Sequence, residues 1–419
     1  MTLVEEKIAV LGLGYVGLPL ALSLAEHFST IGFDTDPDKA NKLRNNPEVV
    51  KSNLRITDNA SDLKNRNFFI VAVQTPLNAH NQPDLSFLVE ASEIIASVIS
   101  HGGIVVYEST VYPGVTEDIC RKIIANKSCL KQGTEFKVGY SPERINPGDE
   151  NHTLEKTVKV IAGEDLDALE RIERVYGKII QVGLYRAKSI KVAEMAKVVE
   201  NTQRDLNIAL INEISIICDK LEIRTRDVLD AAKTKWNFLD FNPGLVGGHC
   251  IAVDPYYLIA KSEELSYHPE VILAGRRVNQ SIVQYLGQKL INLLVQANIG
   301  IANATVGILG ITYKENFCDI RNSRVPDLVS ELKDFGINPL IYDPLADFNA
   351  VKREYNLELV QWEKLTSLDA IILAVPHRVF IDKLDEFILS KLKSDGVLMD
   401  IKSVVRSETL PYSVTYWSL

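Results

Sequence analysis

The most unusual stretch of the chain surrounds one cysteine. Residues 242–255, NPGLVGGHCIAVDP, place Cys250 after four glycine or proline residues, on a constrained loop whose backbone amides could bind an anion. Asp254 follows four residues later and could orient water or a base. A cysteine is more often inert packing. A Gly-Gly loop flanked by His249 and Asp254 is a poor place for packing, which favours a functional thiol.

A second set of polar residues lies on a long segment without glycine or proline. Glu194, Lys197, Asn201 and Asp205 fall at i, i+3, i+7 and i+11, so in a helix they share one face, away from the apolar stripe. The periodicity favours an ion-paired face in solvent. In the alternative interpretation, the lysine and the asparagine point into a site and stabilise a developing oxyanion.

Three loops carry further candidates. Glu143, in the polar stretch 141–148, is a possible base, although an acid in a loop is usually solvated. Thr75 and Thr110 each follow an apolar strand, where a hydroxyl can hold a cofactor, position water or simply cap a turn. Residues 313–324 contain three cations that could hold a diphosphate by charge and bidentate hydrogen bonds, unless the loop is merely solvated.

A glycine-rich turn near the N-terminus points to a dinucleotide. Gly12, Gly14 and Gly17, with Tyr15 and Val16 between them, follow an apolar strand and open a helix. In such a turn the first glycine permits the bend, the second lets a pyrophosphate approach the backbone, and the third allows the helix to pack closely.

The acid that completes this motif is Asp34, which ends the next strand 20 residues past Gly14. Its carboxylate would accept hydrogen bonds from a ribose diol and repel the 2′-phosphate of NADP, so the pattern predicts NAD as the cofactor. Lys39 could neutralise a phosphate, but a solvated lysine is the default.

These residues need strands and helices to position them. Apolar strands are predicted at 7–11, 30–33, 68–73 and 103–107, with a helix at 18–27, which indicates a parallel sheet covered on both faces. Helices are predicted at 189–221, 226–233 and 270–297. The first would be about 50 Å long at roughly 1.5 Å of rise per residue. A helix of that length usually spans domains or builds a subunit interface.

The last third of the chain repeats the first. Residues 305–310, 340–343, 370–376 and 396–402 resemble, in the same order, the stretches at 8–14, 31–34, 69–76 and 103–109, each of which contains a predicted strand or its end. We therefore predict an α/β fold of two Rossmann-like, doubly wound parallel-sheet domains joined by a helical central domain with one long helix. The expected domains are 1–188, 189–300 and 301–419. The last lacks the full glycine fingerprint and is expected to bind a different kind of nucleotide.

Composition excludes several classes of partner. The 419 residues carry a net charge of −9, so the surface as a whole repels nucleic acid and anionic membranes. No stretch approaches a membrane span, and the N-terminus does not resemble a signal peptide. The five cysteines form neither a disulfide framework nor a zinc pattern, which fits a reducing cytoplasm and no bound metal.

Taken together, these motifs resemble the UDP-sugar 6-dehydrogenase family along almost the whole chain. The resemblance rests on the turn at 12–17, VQTP at 73–76, ESTVYPG at 108–114, YSPER at 140–144, EMAK at 194–197 with Asn201, GGHC at 247–250 with Asp254, and Lys314 with Asp319 and Arg321. Residues 244–257 look most like the N-acetylhexosamine branch. Within that branch, the chain is similar to the UDP-N-acetylglucosamine dehydrogenases of O-antigen and Vi-type capsule synthesis.

The resemblance implies a four-electron oxidation of the sugar C6 alcohol to a carboxylate, using two NAD⁺ in turn and a Cys250 thiohemiacetal and thioester. Lys197 and Asn201 would stabilise the oxyanion, Asp254 and Thr110 would handle water and protons, and Glu143 would act in thioester hydrolysis. The implied substrate site comprises Glu143, Arg144, Lys197, Asn201, Gly247, Gly248, Lys314 and Arg321. The implied cofactor site comprises Gly12, Gly14, Tyr15, Val16, Gly17, Asp34, Lys39, Thr75 and Thr110.

The resemblance also implies a dimer or larger assembly, with the long helix at the interface and an arginine supplied by a neighbouring subunit. Arg276 and Arg277 are the candidates for this arginine.

Three alternative functions stay open. A two-electron hydroxy-acid or 6-phosphogluconate-type dehydrogenase would need no cysteine, a sugar epimerase would release no NADH, and a non-catalytic nucleotide-binding regulator would not need Cys250. The first choice of sugar is UDP-N-acetylglucosamine, then UDP-N-acetylgalactosamine or UDP-N-acetylmannosamine, with UDP-glucose last.

Overall fold

The computed structural model describes residues 5–145, 153–384 and 388–419. The chain divides into two compact units. One comprises Met1–Glu200 with Tyr256–Tyr267, and the other comprises Asn201–Pro255 with His268–Leu419. No helix among the described residues is long and apolar enough to cross a membrane.

The first unit is built on a sheet with eight strands in the part of the chain that the structure describes. The strands are β1 (Lys7–Leu11), β2 (Ser29–Phe33), β3 (Arg55–Thr57), β4 (Phe68–Val71), β5 (Gly103–Tyr107), β6 (Phe136–Tyr140), β7 (Lys159–Gly163) and β8 (Leu184–Arg186). Their order is β3-β2-β1-β4-β5-β6-β7-β8. The order reverses between β1 and β4, which is where a doubly wound sheet binds its ligand.

Neighbouring strands in this sheet pair in parallel, with the exception of the antiparallel pair β6 and β7. The sequence predicted a parallel sheet, and that prediction is wrong for this one pair of strands. Strand β4 is buried at every position because helices cover both faces of the sheet, which explains its continuous apolar sequence.

The helices of the first unit are α1 (Gly17–Ala25), α2 (Pro37–Arg44), α3 (Pro47–Lys51), α4 (Ser86–Val98), α5 (Arg121–Ser128) and α6 (Leu166–Tyr176), with a short 3₁₀ segment at Ala60–Leu63 and a π-helical segment at Val115–Cys120.

Helix α7 (Ile190–Lys220) begins in the first unit and ends in the second. Its polar face is the buried one: Glu194 and Asp205 are 0% exposed and Lys197 is 9% exposed. The interpretation of this face as solvent-exposed is therefore wrong. Part of the apolar stripe is exposed instead, because Leu210 is 54% and Ile217 is 51% accessible to solvent.

The second unit contains a smaller sheet and the remaining helices. The strands are β9 (Val306–Leu309), β10 (Leu340–Tyr342), β11 (Leu368–Leu373), β12 (Leu392–Asp400) and β13 (Thr415–Ser418), in the order β10-β9-β11-β12-β13 and all parallel. The helices are α8 (Thr225–Ala232), α9 (Asp254–Glu264), which continues into the first unit, α10 (Glu270–Gln296), α11 (Val325–Asp334), α12 (Phe348–Tyr355) and α13 (Arg378–Asp382), with 3₁₀ turns at Ile301–Asn303, Trp362–Lys364, Leu389–Lys391 and Ser407–Thr409. The second parallel sheet expected from the internal repeat is confirmed.

The strands predicted at 7–11, 30–33, 68–73 and 103–107 and the four predicted helices agree with the structure to within two residues at each end. In the last third, β11 and β12 begin two and four residues before the repeated stretches at 370–376 and 396–402. The core explains why. Leucine and isoleucine side chains of α10 and α11, among them Leu286, Leu290 and Leu328, are fully buried against the apolar strands of the second sheet. An amphipathic period near 3.6 residues and a continuous apolar strand each specify the element that forms them.

Candidate active site

The glycine turn after β1 has the geometry that a dinucleotide needs. Gly12 has φ +91°, and a Cβ atom there would lie 2.8 Å from the Ala72 carbonyl oxygen. A Cβ atom on Gly17 would lie 1.8 Å from the Gly12 carbonyl oxygen, so both positions require glycine. A Cβ atom on Gly14 would meet nothing within 4 Å. That open space lies where a pyrophosphate would approach the backbone, so the turn fits NAD.

The acid after β2 holds the glycine turn in place. Asp34 accepts hydrogen bonds from the backbone N–H of Leu13 at 3.0 Å and of Asp36 at 3.2 Å. The Nζ atom of Lys39 donates to the same carboxylate at 2.6 Å. Lys39 is therefore paired with Asp34, the acid predicted to bind the ribose, and is not a solvated lysine without a partner. The Tyr15 side chain, between the glycines, is 56% exposed.

The loops after β4 and β5 meet through their two threonines. The Thr75 hydroxyl donates to the Thr110 carbonyl oxygen at 2.8 Å, and the Tyr257 hydroxyl donates to the Thr75 carbonyl oxygen at 2.8 Å. The first contact links the loops that follow two neighbouring strands of the sheet. Their roles toward cofactor or water stay predictions.

Glu143 and Arg144 follow β6. One Glu143 oxygen, Oε1, accepts the backbone N–H groups of Arg144 at 2.6 Å and Ile145 at 2.5 Å. The Arg144 guanidinium forms an ion pair with Glu200 at 2.9 Å and donates to the Val158 carbonyl oxygen at 2.7 Å. Both side chains are thus fixed before any ligand binds. The end of this polar motif, residues 146–148, lies outside the described residues.

Glu194 on α7 holds the loop that follows Thr110. Its carboxylate accepts the backbone N–H of Gly114 at 2.6 Å and of Thr116 at 3.0 Å. Burial raises the pKa of Glu194 to about 7, although these two hydrogen bonds favour the ionised form. The sequence motif contained this residue, but no role was predicted for it. Lys197, one helical turn later, is 9% exposed.

The second unit brings together Cys250, Asp254 and Asn201. Cys250 is exposed, and its carbonyl oxygen accepts the Asp254 backbone N–H at 2.8 Å in the turn before α9. The Asp254 carboxylate is buried and accepts a 2.5 Å hydrogen bond from the Asn201 side-chain amide. The thiol is therefore accessible, while the acid four residues later is enclosed and held by the long helix.

The loop before Cys250 is clamped by an asparagine that sequence reasoning missed. Asn212 is fully buried on α7, accepts the Gly244 N–H at 2.8 Å and donates to the Gly244 carbonyl oxygen at 3.1 Å. Its amide also donates to Asn279 on α10 at 2.9 Å. Asn212 continues the polar face of α7, so a longer search along that face would have found it.

Gly247 and Gly248 pack against the cation-rich loop after β9. A Cβ atom on Gly247 would lie 2.5 Å from the Asn322 carbonyl oxygen, and one on Gly248 would lie 2.7 Å from the Tyr313 ring. His249 approaches Asp319 to 3.9 Å. Only glycine permits this approach, so the pair of glycines brings the cysteine loop against the loop that carries Lys314 and Arg321.

The cations of that loop are partly engaged. Arg321 forms an ion pair with Asp319 at 2.7 Å, and the Lys314 ammonium lies 4.6 Å from the centroid of the Phe317 ring. A further cation, Lys402, follows β12 and lies 3.6 Å from Glu315. A Cβ atom on Gly244 would lie 3.0 Å from Cε of Lys402, so this lysine also borders the cysteine loop.

Of the two arginines considered for a neighbouring subunit, Arg276 is buried and forms an ion pair with Asp205 at 2.6 Å. This contact turns Arg276 inward, which leaves Arg277 as the exposed candidate.

The turn after β9 in the second sheet repeats the glycine turn after β1 but keeps only its first glycine. Gly310 has the same φ, +91°, as Gly12. The acid after β10, Asp343, is 1% exposed and accepts the N–H groups of Ile311 at 2.7 Å and Thr312 at 3.2 Å. His377 Nε2 lies 3.0 Å from the same carboxylate. Asp343 thus holds its turn as Asp34 holds the first one, while Thr312 and Glu315 stand where the first turn has Gly14 and Gly17.

Models of three domains of one protein family match the chain. They are the NAD binding domain of the UDP-glucose/GDP-mannose dehydrogenase family at residues 6–180, its central domain at 191–281 and its UDP binding domain at 307–407.

Similar proteins match over nearly their full length. The chain is 48% identical to a UDP-N-acetyl-D-glucosamine 6-dehydrogenase from Salmonella typhi, covering 96% of this chain and 97% of that protein. It is 46% identical to Protein CapL from Staphylococcus aureus, covering 99% and 100%. Among solved structures, a UDP-D-ManNAc dehydrogenase from Pyrococcus horikoshii aligns with a TM-score of 0.88 at 29% identity, covering 98% of each chain.

Proposed function

This chain belongs to the UDP-glucose/GDP-mannose dehydrogenase family, and on that premise we propose that it oxidises the C6 alcohol of UDP-N-acetylglucosamine to a carboxylate. The cofactor of the family's N-terminal domain is NAD. The observation that carries the proposed chemistry is the exposed Cys250, one turn before a buried Asp254 held by Asn201. The choice of sugar is supported by the 48% identical relative of that name.

The glycine turn Gly12–Gly17 and Asp34 would hold the dinucleotide, with Lys39, Thr75 and Thr110 beside it. NAD⁺, when bound, accepts a hydride from the sugar carbon at each of two oxidations. The chain's own residues bind and orient the reactants and move the protons.

Cys250 makes the four-electron reaction possible. Its thiolate sulfur adds to the C6 aldehyde carbon, forming a C–S bond, while the carbonyl electron pair becomes an oxyanion that Lys197 and Asn201 would stabilise. The second oxidation leaves a thioester. Water then attacks the thioester carbon, Glu143 takes the water proton, and the C–S bond breaks to return the thiolate. Asp254 and Thr110 would handle water and protons.

The remaining assignments follow the family resemblance. Arg144, Gly247 and Gly248 would contact the substrate, with Lys314 and Arg321 contacting it from the UDP-binding domain. We propose residues 1–188, 189–300 and 301–419 as the NAD-binding, central and UDP-sugar-binding domains. We also infer a cytoplasmic enzyme whose product enters capsule or O-antigen polysaccharide synthesis.

A homodimer or larger homo-oligomer is the proposed assembly. Leu210, Ile217 and Leu221 recur at helical spacing and are 51–63% exposed, although they belong to an otherwise well packed unit. An apolar stripe on a long helix is the kind of surface that a second copy covers. Arg277 is then the candidate that one subunit offers to the other.

The decisive experiment is to measure NADH formed per UDP-sugar consumed, with UDP-N-acetylglucosamine and its competitors in parallel. Two NADH per molecule, with UDP-N-acetylglucosamine preferred, is the expected result. UDP-N-acetylmannosamine is the second candidate because the solved structure described above, with a TM-score of 0.88, carries that name. One NADH per molecule would favour the hydroxy-acid type of dehydrogenase. No net NADH would favour an epimerase or a binding protein.

A further inference from the structure

A buried group of charges lies directly behind Glu143 in the first unit. Lys159, at the start of β7, is 3% exposed, and its Nζ atom donates to the Glu108 carboxylate at 2.9 Å. The same ammonium donates to the Pro142 carbonyl oxygen at 3.3 Å and lies 5.2 Å from the centroid of the Tyr176 ring. The Tyr176 hydroxyl donates to the other oxygen of Glu108. The Glu108 carboxylate, the Pro142 carbonyl oxygen and the Tyr176 ring together hold the Lys159 ammonium group in one position.

Glu143 faces this cation with an oxygen that has no hydrogen-bond partner among the residues that the structure describes. Oε1 accepts two backbone N–H groups, whereas Oε2 is buried and accepts none from residues 5–145, 153–384 or 388–419. Lys159 Nζ lies 3.9 Å from Oε2, beyond hydrogen-bond distance but close enough for a strong charge interaction. The neighbouring cation, Arg144, directs its guanidinium to Glu200 on α7.

The charges of this group do not balance. One ammonium group lies between two carboxylates, Glu108 and Glu143, whose side chains are 0% and 12% exposed. Burial raises the pKa of Glu108; the Lys159 charge opposes that rise and the Glu143 charge adds to it. The Glu143 charge thus makes ionisation of Glu108 less favourable, and the Lys159 ammonium group makes it more favourable.

We propose that Lys159 is a positioning residue for Glu143. Its buried ammonium group, held by Glu108 and Tyr176, stabilises the negative charge of the Glu143 carboxylate while leaving Oε2 free to take the proton from the attacking water. This inference rests on the proposed function, in which Glu143 is the base for thioester hydrolysis. A hydrogen bond from Lys159 to Oε2 would block that oxygen, whereas a cation at 3.9 Å stabilises its charge without occupying it.

The test measures acyl-enzyme decay against pH in the full-length enzyme. Enzyme is mixed with UDP-N-acetylglucosamine and NAD⁺, quenched in acid at timed intervals, and the Cys250 adduct is followed by intact mass. Lys159→Met is expected to move the acidic limb of the decay rate upward by about one pH unit or more, because the ionised base loses its cation. Glu108→Gln is expected to move the limb downward, because a competing negative charge is removed. Lys159→Arg should keep the limb near that of the wild type.

The matched control is Arg171→Met. Arg171, which lies on α6 and is 8% exposed, forms a buried ion pair with Glu6 at 2.8 Å in the same unit. Its loss should lower the melting temperature without moving the acidic limb. Opposite shifts in Lys159→Met and Glu108→Gln support the inference, since a merely structural role cannot produce two signs. If Lys159→Met does not fold, the direction of the Glu108→Gln shift alone decides.

Failure of this inference can be separated from failure of the proposed function. If the wild type forms an acyl-enzyme that decays, and neither variant moves its acidic limb, the Lys159 inference is wrong and the covalent chemistry stands. If the wild type forms no acyl-enzyme with any UDP-sugar, the proposed function is overturned and the inference with it.

Discussion

The side-chain amide of Asn201 donates a 2.5 Å hydrogen bond to the carboxylate of Asp254. The bond joins the long helix α7 to the first residue of α9, four residues after Cys250. Asp254 is 1% exposed, so its negative charge depends on such donors for stabilisation. Asn201 and Asp254, 53 positions apart in the sequence, thus form one hydrogen-bonded pair close in sequence to the accessible thiol. Disruption of this pair should affect the chemistry more than the folding.

Replacing Asp254 by Asn tests the role of the Asn201–Asp254 pair. The substitution keeps the shape and the hydrogen-bonding partner but removes the charge and the proton acceptor. Uronate formation should fall roughly a hundredfold or more, the range for losing a general acid or base. NAD⁺ affinity, measured by fluorescence titration, should stay at the wild-type value. Asn201→Asp should be as damaging, because two carboxylates would then face each other. Near-normal turnover in both variants would contradict the assignment.

Cys250→Ser should abolish the complete oxidation. A serine hydroxyl is a much weaker nucleophile at neutral pH, so uronate formation should drop roughly a thousandfold. Mass spectrometry of the products, together with intact mass of the quenched enzyme, measures both the uronate and the missing adduct. Cys129→Ser is the matched control because Cys129 is also exposed but lies in the first unit after α5. Normal uronate formation by Cys250→Ser would rule out the covalent scheme.

The three glycines of the turn should respond differently to alanine. Gly14→Ala should fold normally, because its Cβ atom meets nothing, yet lose NAD⁺ affinity where the pyrophosphate would approach. Gly12→Ala and Gly17→Ala should instead lower the melting temperature, because their Cβ atoms would lie 2.8 Å and 1.8 Å from carbonyl oxygens. Gly300→Ala, also in open space, controls for alanine itself. Thermal melts and NAD⁺ titrations separate the outcomes.

Glu194 should make stability depend on pH with a definite sign. Its pKa is about 7 in the folded protein, above the ordinary value of 4.5, so the folded state binds more protons between those values. Stability from this group is therefore present below about pH 4.5 and is lost as pH rises through about 7. The total is of the order of 3 kcal/mol.

Urea unfolding of wild type and Glu194→Gln between pH 5 and pH 8 measures this effect. The difference in unfolding free energy between the two proteins should fall as pH rises and level off above about pH 7. A difference that does not change with pH, or that grows with pH, would show that Glu194 is not the titrating group.

The exposed stripe on α7 should govern assembly. Leu210→Asp and Ile217→Asp place a charge where a second copy would pack, and should shift the protein toward the monomer in size-exclusion chromatography with light scattering. Val50→Asp changes a side chain that is 67% exposed on α3 and should leave the mass unchanged. A wild-type protein that is monomeric at micromolar concentration would contradict the proposed assembly.

The sequence by itself determined the elements and much of the chemistry. Local patterns specify local structure, so the glycine turn, the apolar strands and the long helix lie where their periodicities predicted. The repeat between the first and last thirds predicted two parallel sheets, and Gly310 adopts the φ of Gly12. Cys250 was identified because glycine, proline and an acid surround it along the chain.

Only the tertiary structure decided which face of α7 is buried and what surrounds each acid. Helical periodicity separates a polar from an apolar face but does not say which one meets the rest of the protein. Here the polar face is inside because Glu194, Asp205 and Asn212 find partners on other elements. Lys159 and Glu108 are 51 residues apart, and no local pattern links them. Their pairing depends on β5 and β7 lying on either side of β6 in the sheet, a consequence of strand order rather than of sequence period.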